Sequence, residues 1–148
     1  MNLPQYQLRA GKSLMVFEFI SEGPKGRISK LVKFSKTNLK GLYNLSFGDK
    51  NHDTGDFDDQ IVSNNGDSET VLATVVAAVY VFTDKYPESS IYATGSTKSR
   101  TRLYQMGITK YINNIKKDFS ILGLRDKLWF PFKKGINYEA FLVKRKNT

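Results

Sequence analysis

The sequence predicts a single α+β domain in which an antiparallel β-sheet carries two helices. The first 63 residues contain four runs of β-forming residues, separated by turns rich in Gly, Pro and Asn. After them come a long apolar segment with helical spacing, a short strand, a second helical segment and a closing hairpin. With 148 residues, 40% of them apolar and 13% aromatic, the chain has enough material for one well-filled core.

The first half of the chain is expected to form an antiparallel meander with one face in water. Its predicted strands are Ser13–Ile20, Arg27–Lys36, Leu42–Phe47 and Phe57–Ser63. The segments Gly23–Gly26 and Asn38–Gly41 are turn signals between the first three strands. In the second strand apolar side chains share one face and lysines are interleaved, so this strand is expected to be half exposed.

An acidic loop, Asp49–Asp56, lies between the third and fourth predicted strands. The spacing of Asp49, Asn51 and Asp53 resembles a calcium-binding loop, but glycine occupies the seventh position and Gln60 the twelfth. We therefore interpret the loop as a hairpin tip built from Asx turns and predict no metal site.

The first helix is expected to begin at an N-cap formed by Asp67 or Ser68 and to end at Tyr86, before Pro87. Its valine and alanine residues recur at helical spacing, so it should pack against the sheet. A fifth strand, Ser90–Thr94, follows this helix.

The second helix is predicted over Lys98–Lys117, with Gly107 either a close packing point or a break. The tail is expected to form a closing hairpin from Leu128–Phe132 and Tyr138–Lys144.

Composition excludes several classes of site. The chain has no cysteine and one histidine, His52, so disulfides, thiolate chemistry and multi-histidine zinc centres are not expected. The N-terminus lacks the apolar core of a signal peptide, and the longest apolar stretch falls well short of the ~20 residues that span a bilayer. These features favour a cytoplasmic protein with no membrane partner.

The charge distribution points to an anionic partner. The net charge is +9. Residues 1–90 hold ten basic and eleven acidic residues, whereas residues 91–148 hold thirteen and three. The basic half suits a phosphorylated cofactor, a nucleic acid or an acidic protein, and the alternative is a solvated lysine-rich surface.

A strand-to-helix junction at the start of the basic half is the leading candidate site. A strand that feeds a helix through small residues presents backbone N–H groups to an anion. The candidate anion-binding residues here are Gly95, Ser96, Thr97, Lys98, Arg100 and Arg102. Asn65, Gly66 and Ser68, which lead into the first helix, are expected to adjoin them if the fourth and fifth predicted strands are neighbours.

Two other functions remain open. Nucleic acid could be bound by the basic residues of the second helix, with Tyr104 and Tyr111 stacking on bases, although both tyrosines lie on the stripe expected to face the core. The chain could also be a protein-interaction module of the toxin–antitoxin or defence type with an acidic partner.

Two resemblances add to these inferences. The order meander, helix, strand, helix, hairpin is similar to the later part of the GNAT acetyltransferase fold, and the segment Arg102–Ile108 resembles that family's Asn…Leu-Tyr…Gly-Phe segment. This resemblance implies acyl-coenzyme A as a possible ligand, with Tyr104 as general acid. More broadly, segments such as Ser63–Ser68 and Thr94–Tyr104 resemble those of small uncharacterised bacterial proteins that carry a domain of unknown function.

Overall fold

The structure, a computed structural model, describes residues 5–58, 64–95 and 97–146. Within these ranges it contains two helices, α1 (Ser68–Lys85) and α2 (Lys98–Ile115). It also contains eight strands: β1 (Arg9–Ala10), β2 (Val16–Gly23), β3 (Gly26–Lys36), β4 (Leu42–Asp49), β5 (Ser90–Ala93), β6 (Phe119–Arg125), β7 (Leu128–Pro131) and β8 (Ala140–Arg145). The strands form one sheet in the order β1-β2-β3-β4-β5-β8-β6-β7, in which antiparallel pairs predominate. The predicted α+β class is confirmed.

Internal contacts divide the chain into two compact units. The first unit comprises the described residues of Asn2–Phe34 and Ser46–Lys85, and therefore contains β1, β2, most of β3 and α1. The second unit comprises those of Ser35–Leu45 and Tyr86–Thr148, and contains the first half of β4, β5, α2 and the last three strands.

In the first unit, β2 and β3 form the predicted hairpin, with Gly23 paired to Gly26 across a two-residue turn. The strand predicted at Ser13 begins instead at Val16. Gly11 N–H donates to Val16 C=O, and Leu14, at φ 55°, donates to Gly11 C=O, so residues 11–16 form a turn that follows β1. Strand β1 was not predicted, because two residues are too few to show a strand pattern.

One face of this hairpin forms the core of the first unit. The ring of Phe34 stacks on Phe82 of α1, with centroids 4.2 Å apart. Lys30 occupies the same face but is only 2% exposed, and its Nζ lies 2.6 Å from Asp49 Oδ1. Leu31, on the opposite face, is also buried. The strand predicted to be half exposed is therefore buried on both faces at Lys30 and Leu31, because an ion pair allows the charged side chain of Lys30 to be buried.

The predicted Asx turn in the acidic loop is confirmed, since Asn51 Oδ1 accepts hydrogen bonds from the N–H groups of Asp53 and Thr54. The described residues contain no cluster of side chains that could hold a metal ion. Of the strand predicted at Phe57–Ser63, Phe57 forms a single antiparallel bridge with Lys50, and residues 59–63 lie outside the described ranges.

Helix α1 begins and ends within one residue of its predicted bounds. Val71 N–H donates to Asp67 C=O, which places Asp67 at the N-cap position. Most of its apolar residues are buried as their spacing predicted, whereas Val76, Ala77 and Val79 are half-buried. Neither described helix combines the length and apolarity that a membrane span requires.

In the second unit, β4 and β5 pair in parallel from Leu42↔Ser90 to Leu45↔Ala93. The prediction of a wholly antiparallel sheet was therefore wrong at this pair of strands. Parallel neighbours require a long crossover connection, which the chain supplies between Asp49 and Ser90. Strand β5 itself ends one residue before its predicted end.

The predicted closing hairpin was wrong in its pairing. Strand β7 pairs with β6, which the sequence analysis did not identify, and β8 lies between β5 and β6. The β6–β7 turn consists of Asp126 and Lys127, both with positive φ (52° and 66°). Such turns normally contain Asn and Gly, so this sequence gave no signal for one.

Helix α2 is continuous through Gly107, which is buried, so the predicted packing point is confirmed and the break is wrong. Tyr104 and Tyr111 are 7% and 9% exposed, which confirms that both belong to the core.

Candidate anion-binding cleft

The junction between β5 and α2 has the geometry of a capped helix start. Thr97 is the N-cap residue, and its Oγ1 accepts a hydrogen bond from Arg100 N–H at 3.2 Å. Thr101 Oγ1 donates to Thr97 C=O and accepts from Gly95 N–H at 3.0 Å. These bonds fix the loop against the first turn and leave the N–H groups of Lys98 and Ser99 without intrahelical partners.

Gly95 is required by this close approach. A Cβ at position 95 would lie 2.3 Å from Arg100 Cβ and 2.5 Å from Thr101 N, well inside van der Waals contact. The glycine therefore lets the end of β5 pass directly against the first turn of α2.

The electrostatics of this helix end favour an anion. Helix α2 contains no acidic residue, whereas α1 has Glu69 in its first turn. Among the described residues, neither Lys98 nor Arg102 forms an ion pair. Their charges add to the partial positive charge of about +0.5 at a helix N-terminus.

A cleft of about 640 Å³ opens beside this junction. Its walls are formed by the end of β5, one side of α2, the β6–β7 turn and the segment before β8. The residues that line it are Thr94, Gly95, Thr97, Lys98, Thr101, Arg102, Gln105, Arg125, Asp126, Asn137, Tyr138 and Glu139.

The segment Ile136–Glu139 forms a fixed wall of the cleft. Gln105 of α2 holds it from one side, since its Nε2 donates to Ile136 C=O and its Oε1 accepts from Tyr138 N–H. From the other side, Glu139 N–H donates to Leu124 C=O, and Thr94 Oγ1 donates to Glu139 C=O. The wall is thus held by three separate elements.

Tyr138 is 6% exposed, and its ring packs on Gly123 of β6. A Cβ at position 123 would lie 2.3 Å from that ring. The hydroxyl of Tyr138 accepts a hydrogen bond from Lys133 N–H at 3.0 Å. Tyr138 therefore holds the loop before β8 as well as the cleft wall.

The cleft is not uniformly basic. Arg125 Nε lies 3.9 Å from Asp126 Oδ2, and both side chains are more than half exposed, so this pair contributes little stability. Glu139, which is exposed, also belongs to the lining. The lining therefore combines the basic side chains of Lys98, Arg102 and Arg125 with the carboxylates of Asp126 and Glu139.

The structure brings together four of the predicted site residues, Gly95, Thr97, Lys98 and Arg102. Arg100 is not part of the lining, although its N–H is held by the N-cap. Ser96 lies outside the described residues. Tyr104 is buried and is also not part of the lining.

The other predicted site residues lie in the first unit, so their adjacency to α2 stays a prediction. Asn65 is 1% exposed, and both donors of its amide are engaged, to Ser21 Oγ and Gly26 C=O. Its Oδ1 accepts from Lys25 N–H, so Asn65 holds the β2–β3 turn. Gly66 has φ +74°, and Ser68 is exposed at the start of α1.

A hydrogen-bond cluster beside Asn65 centres on the carboxylate of Asp67. Its Oδ2 accepts hydrogen bonds from Ser21 Oγ and from the Tyr6 hydroxyl at 2.6 Å. Burial, and then the hydrogen bond to Asp67, raise the pKa of Tyr6 above its ordinary value of 10.0. An anionic ligand at this end of α1 would meet that carboxylate.

Sequence reasoning missed the residues of the opposite wall, among them Gln105, Arg125, Asn137 and Tyr138. They come from segments separated by 20 residues or more from the β5–α2 junction, apart from Gln105. Only Gln105 carried a local signal, since a polar residue beside the apolar stripe of α2, one position after Tyr104, can reach a neighbouring segment.

Comparison with known proteins identifies one family. A family model described as "Family of unknown function (DUF6934)" matches residues 2–146. No curated protein and no solved structure matches the chain.

Proposed function

The chain belongs to this family of unknown function, and we propose that it binds a phosphate-bearing ligand in the cleft beside the N-terminus of α2. Lys98 and Arg102 would hold the phosphate together with backbone N–H groups of the first helical turn. The observation that carries this proposal is the pair of basic side chains that form no ion pair within the described chain.

The size of the cleft indicates more than a simple anion. A volume of about 640 Å³ falls within the range of roughly 300–1,000 Å³ that small-molecule and cofactor sites occupy. A lone phosphate would leave most of that space to water. The proposed ligand therefore carries, besides its phosphate, polar groups that can bond to the side chains of Asn137 and Glu139.

Acyl-coenzyme A is one ligand of this class. It is proposed from the resemblance of Arg102–Ile108 to the GNAT segment. The proposal concerns binding and not acyl transfer. The proposed general acid, Tyr104, is only 7% exposed and does not line the cleft.

Calorimetry tests this function. Acetyl-coenzyme A, AMP and pyrophosphate are each titrated into the wild-type chain, into Arg102→Ala and into Lys134→Ala. Arg102→Ala should lower the affinity of any ligand that binds by about tenfold or more, because a charge-assisted hydrogen bond of about 1.5–3 kcal/mol is lost. Lys134→Ala removes the same charge from an exposed residue outside the cleft and should have little effect.

Absence of heat with all three ligands at millimolar concentration would refute the proposal, as would equal losses in the two variants. Binding of AMP and pyrophosphate but not of acetyl-coenzyme A would keep the phosphate site and remove the acyl carrier.

A nucleic acid is the alternative ligand, and the charge of the second unit favours it. That unit holds fifteen basic and four acidic residues, whereas the first unit holds eight basic and ten acidic residues. Base stacking on Tyr104 and Tyr111 is not part of this alternative, because both rings are buried. A steep fall of oligonucleotide affinity with salt, lessened in Arg100→Ala, would support it. Affinity that does not depend on salt would reject it.

A further inference from the structure

In the second unit, one face of the sheet carries an apolar surface that is only partly buried. Paired positions place Ile91, Phe141 and Ile121 on one face, and all three are buried. The opposite face, which we call the open face, carries six apolar side chains that are half-buried or exposed. They are Leu42, Tyr92, Leu122, Leu124, Trp129 and Leu142. Polar residues also lie on this face, namely Asn44, Ser90, Lys144 and Ser120. The apolar residues nevertheless fill two adjacent rows across the strands, Tyr92–Leu142–Leu122–Pro131 and Ala140–Leu124–Trp129, and so form a continuous apolar patch.

Two aromatic rings extend the apolar surface across the strands. Tyr92 of β5 and Trp129 of β7 meet edge to face, with ring centroids 6.1 Å apart, although β8 and β6 lie between their strands. Trp129 remains 39% exposed. Tryptophan and tyrosine residues that keep an exposed side on an apolar surface are frequent anchors of protein interfaces.

The partner does not add as a ninth strand beside β7. Phe132 N–H donates inward to Ile121 C=O, so in the antiparallel register the backbone groups of Trp129 and Pro131 point outward. Proline has no N–H, which leaves Trp129 as the one outward donor of this four-residue strand. Short edges that contain proline and are flanked by lysines, here Lys127 and Lys133, resist strand addition.

Charge decides the chemistry of the partner. The second unit carries an excess of eleven positive charges, which would oppose the approach of the same face of a second copy. An acidic partner is attracted instead. The predominance of leucine on the face favours apolar side chains over nucleobases, which stack on aromatic rings.

We propose that the open face docks an acidic amphipathic helix of a partner protein, with its apolar stripe on the leucines and Trp129, and its carboxylates toward Lys144 and the other basic residues of the second unit. A helix laid on an apolar sheet face completes a layered core in the same way that helices do within a domain. The proposal is independent of the phosphate cleft.

The probe is a fluorescein-labelled peptide of about 18 residues, or five helical turns, with leucines on one face and glutamates on the other. Its binding is followed by anisotropy, and by the emission of Trp129, the only tryptophan in the chain. We expect a blue shift of that emission and at least tenfold weaker binding of a scrambled peptide of equal composition. Trp129→Glu should weaken binding of the designed peptide at least tenfold.

Met106→Glu is the matched control, because Met106 is an exposed apolar residue of α2, 52% accessible, and the change adds the same charge. It should leave binding within about twofold of wild type. Trp129→Ser, which adds no charge, should weaken binding in the same direction as Trp129→Glu. Circular dichroism checks that each variant is folded. We expect the Trp129 variants to fold, because Trp129 lies on the edge strand β7.

Equal affinity for the designed and scrambled peptides would overturn the proposal, as would equal losses in Trp129→Glu and Met106→Glu. An oligothymidine that binds more tightly than the peptide and depends on Trp129 would assign the face to single-stranded nucleic acid. A dimer in light scattering that Trp129→Glu dissociates would assign it to a second copy. Either result would overturn the proposal.

Discussion

At the scale of single residues, two tyrosines each connect separate segments of the chain. Tyr138 lies over Gly123 and links the cleft wall to β6, and Tyr6 links the segment before β1 to Asp67 at the start of α1. The Tyr6 hydroxyl bonds to a residue distant in sequence, whereas the Tyr138 hydroxyl bonds to the nearby Lys133 and its ring makes the long-range contact. Changes at these positions should therefore alter stability in predictable directions.

Gly123→Ala should destabilise the fold by about 1–3 kcal/mol, because the added methyl group would overlap the ring of Tyr138. Urea denaturation measures the loss. Gly11→Ala is the control, since a Cβ there meets only Val16 C=O at 3.9 Å, an ordinary contact. Equal stability of the two variants would contradict the packing of Tyr138 on Gly123.

The stability of the chain should fall as the pH rises through and above about 10, in part because of Tyr6. The pKa of Tyr6 is raised in the folded state, so the unfolded chain loses this proton at lower pH than the folded chain does. The stabilisation is complete below the unfolded pKa and is lost as the pH rises through the folded one. Tyr6→Phe should flatten this decline in urea midpoints measured between pH 8 and pH 11, and an unchanged slope would contradict the assignment.

At the scale of elements, the C-terminal strands show how turn geometry sets pairing. Two consecutive left-handed residues, Asp126 and Lys127, direct β7 back along β6, and β8 then enters between β6 and β5. Lysine in the left-handed region is strained by roughly 1 kcal/mol. The register of β6 and β7 is thus formed in spite of the turn sequence and is supported by the strands themselves.

Lys127→Gly should stabilise the chain by about 0.5–1 kcal/mol, because glycine adopts positive φ without that strain. The gain is measured as a rise in the urea midpoint. The same change at Lys134, which does not have positive φ, should give no gain, since glycine there only loosens the unfolded chain. A gain at both positions would show that lysine charge, and not backbone strain, is the cause.

At the scale of the whole molecule, the two units differ in charge but share two strands. The excess of basic residues belongs to the second unit, while acidic residues slightly outnumber basic ones in the first. Strands β3 and β4, however, each run through residues of both units. Unfolding of either unit would therefore break strands that the other unit uses.

The single domain that the sequence predicts should show as one cooperative transition. Emission of Trp129, which reports on the second unit, and far-ultraviolet circular dichroism, which reports on the whole chain, should give coincident urea curves. Two separated transitions would show that the units unfold independently.

The sequence by itself determined most of the local structure and one half of the candidate site. The apolar spacing of α1 and α2, the turn at Gly23–Gly26 and the Asx turn at Asn51 are local patterns, so each could be inferred from neighbouring residues. The junction Gly95–Arg102 was found for the same reason. The ligand, the cytoplasmic location and the adjacency of the two predicted loops remain predictions.

The tertiary structure alone decided which distant segments meet. The insertion of β8 between β5 and β6, the parallel pairing of β4 with β5 and the burial of Lys30 against Asp49 all depend on non-local pairings. No local pattern encodes these pairings, because strands of similar composition can exchange neighbours without changing their own alternation. The cleft wall Ile136–Glu139 and the open face could not be predicted for the same reason. Each is formed by segments that are adjacent only in the folded sheet.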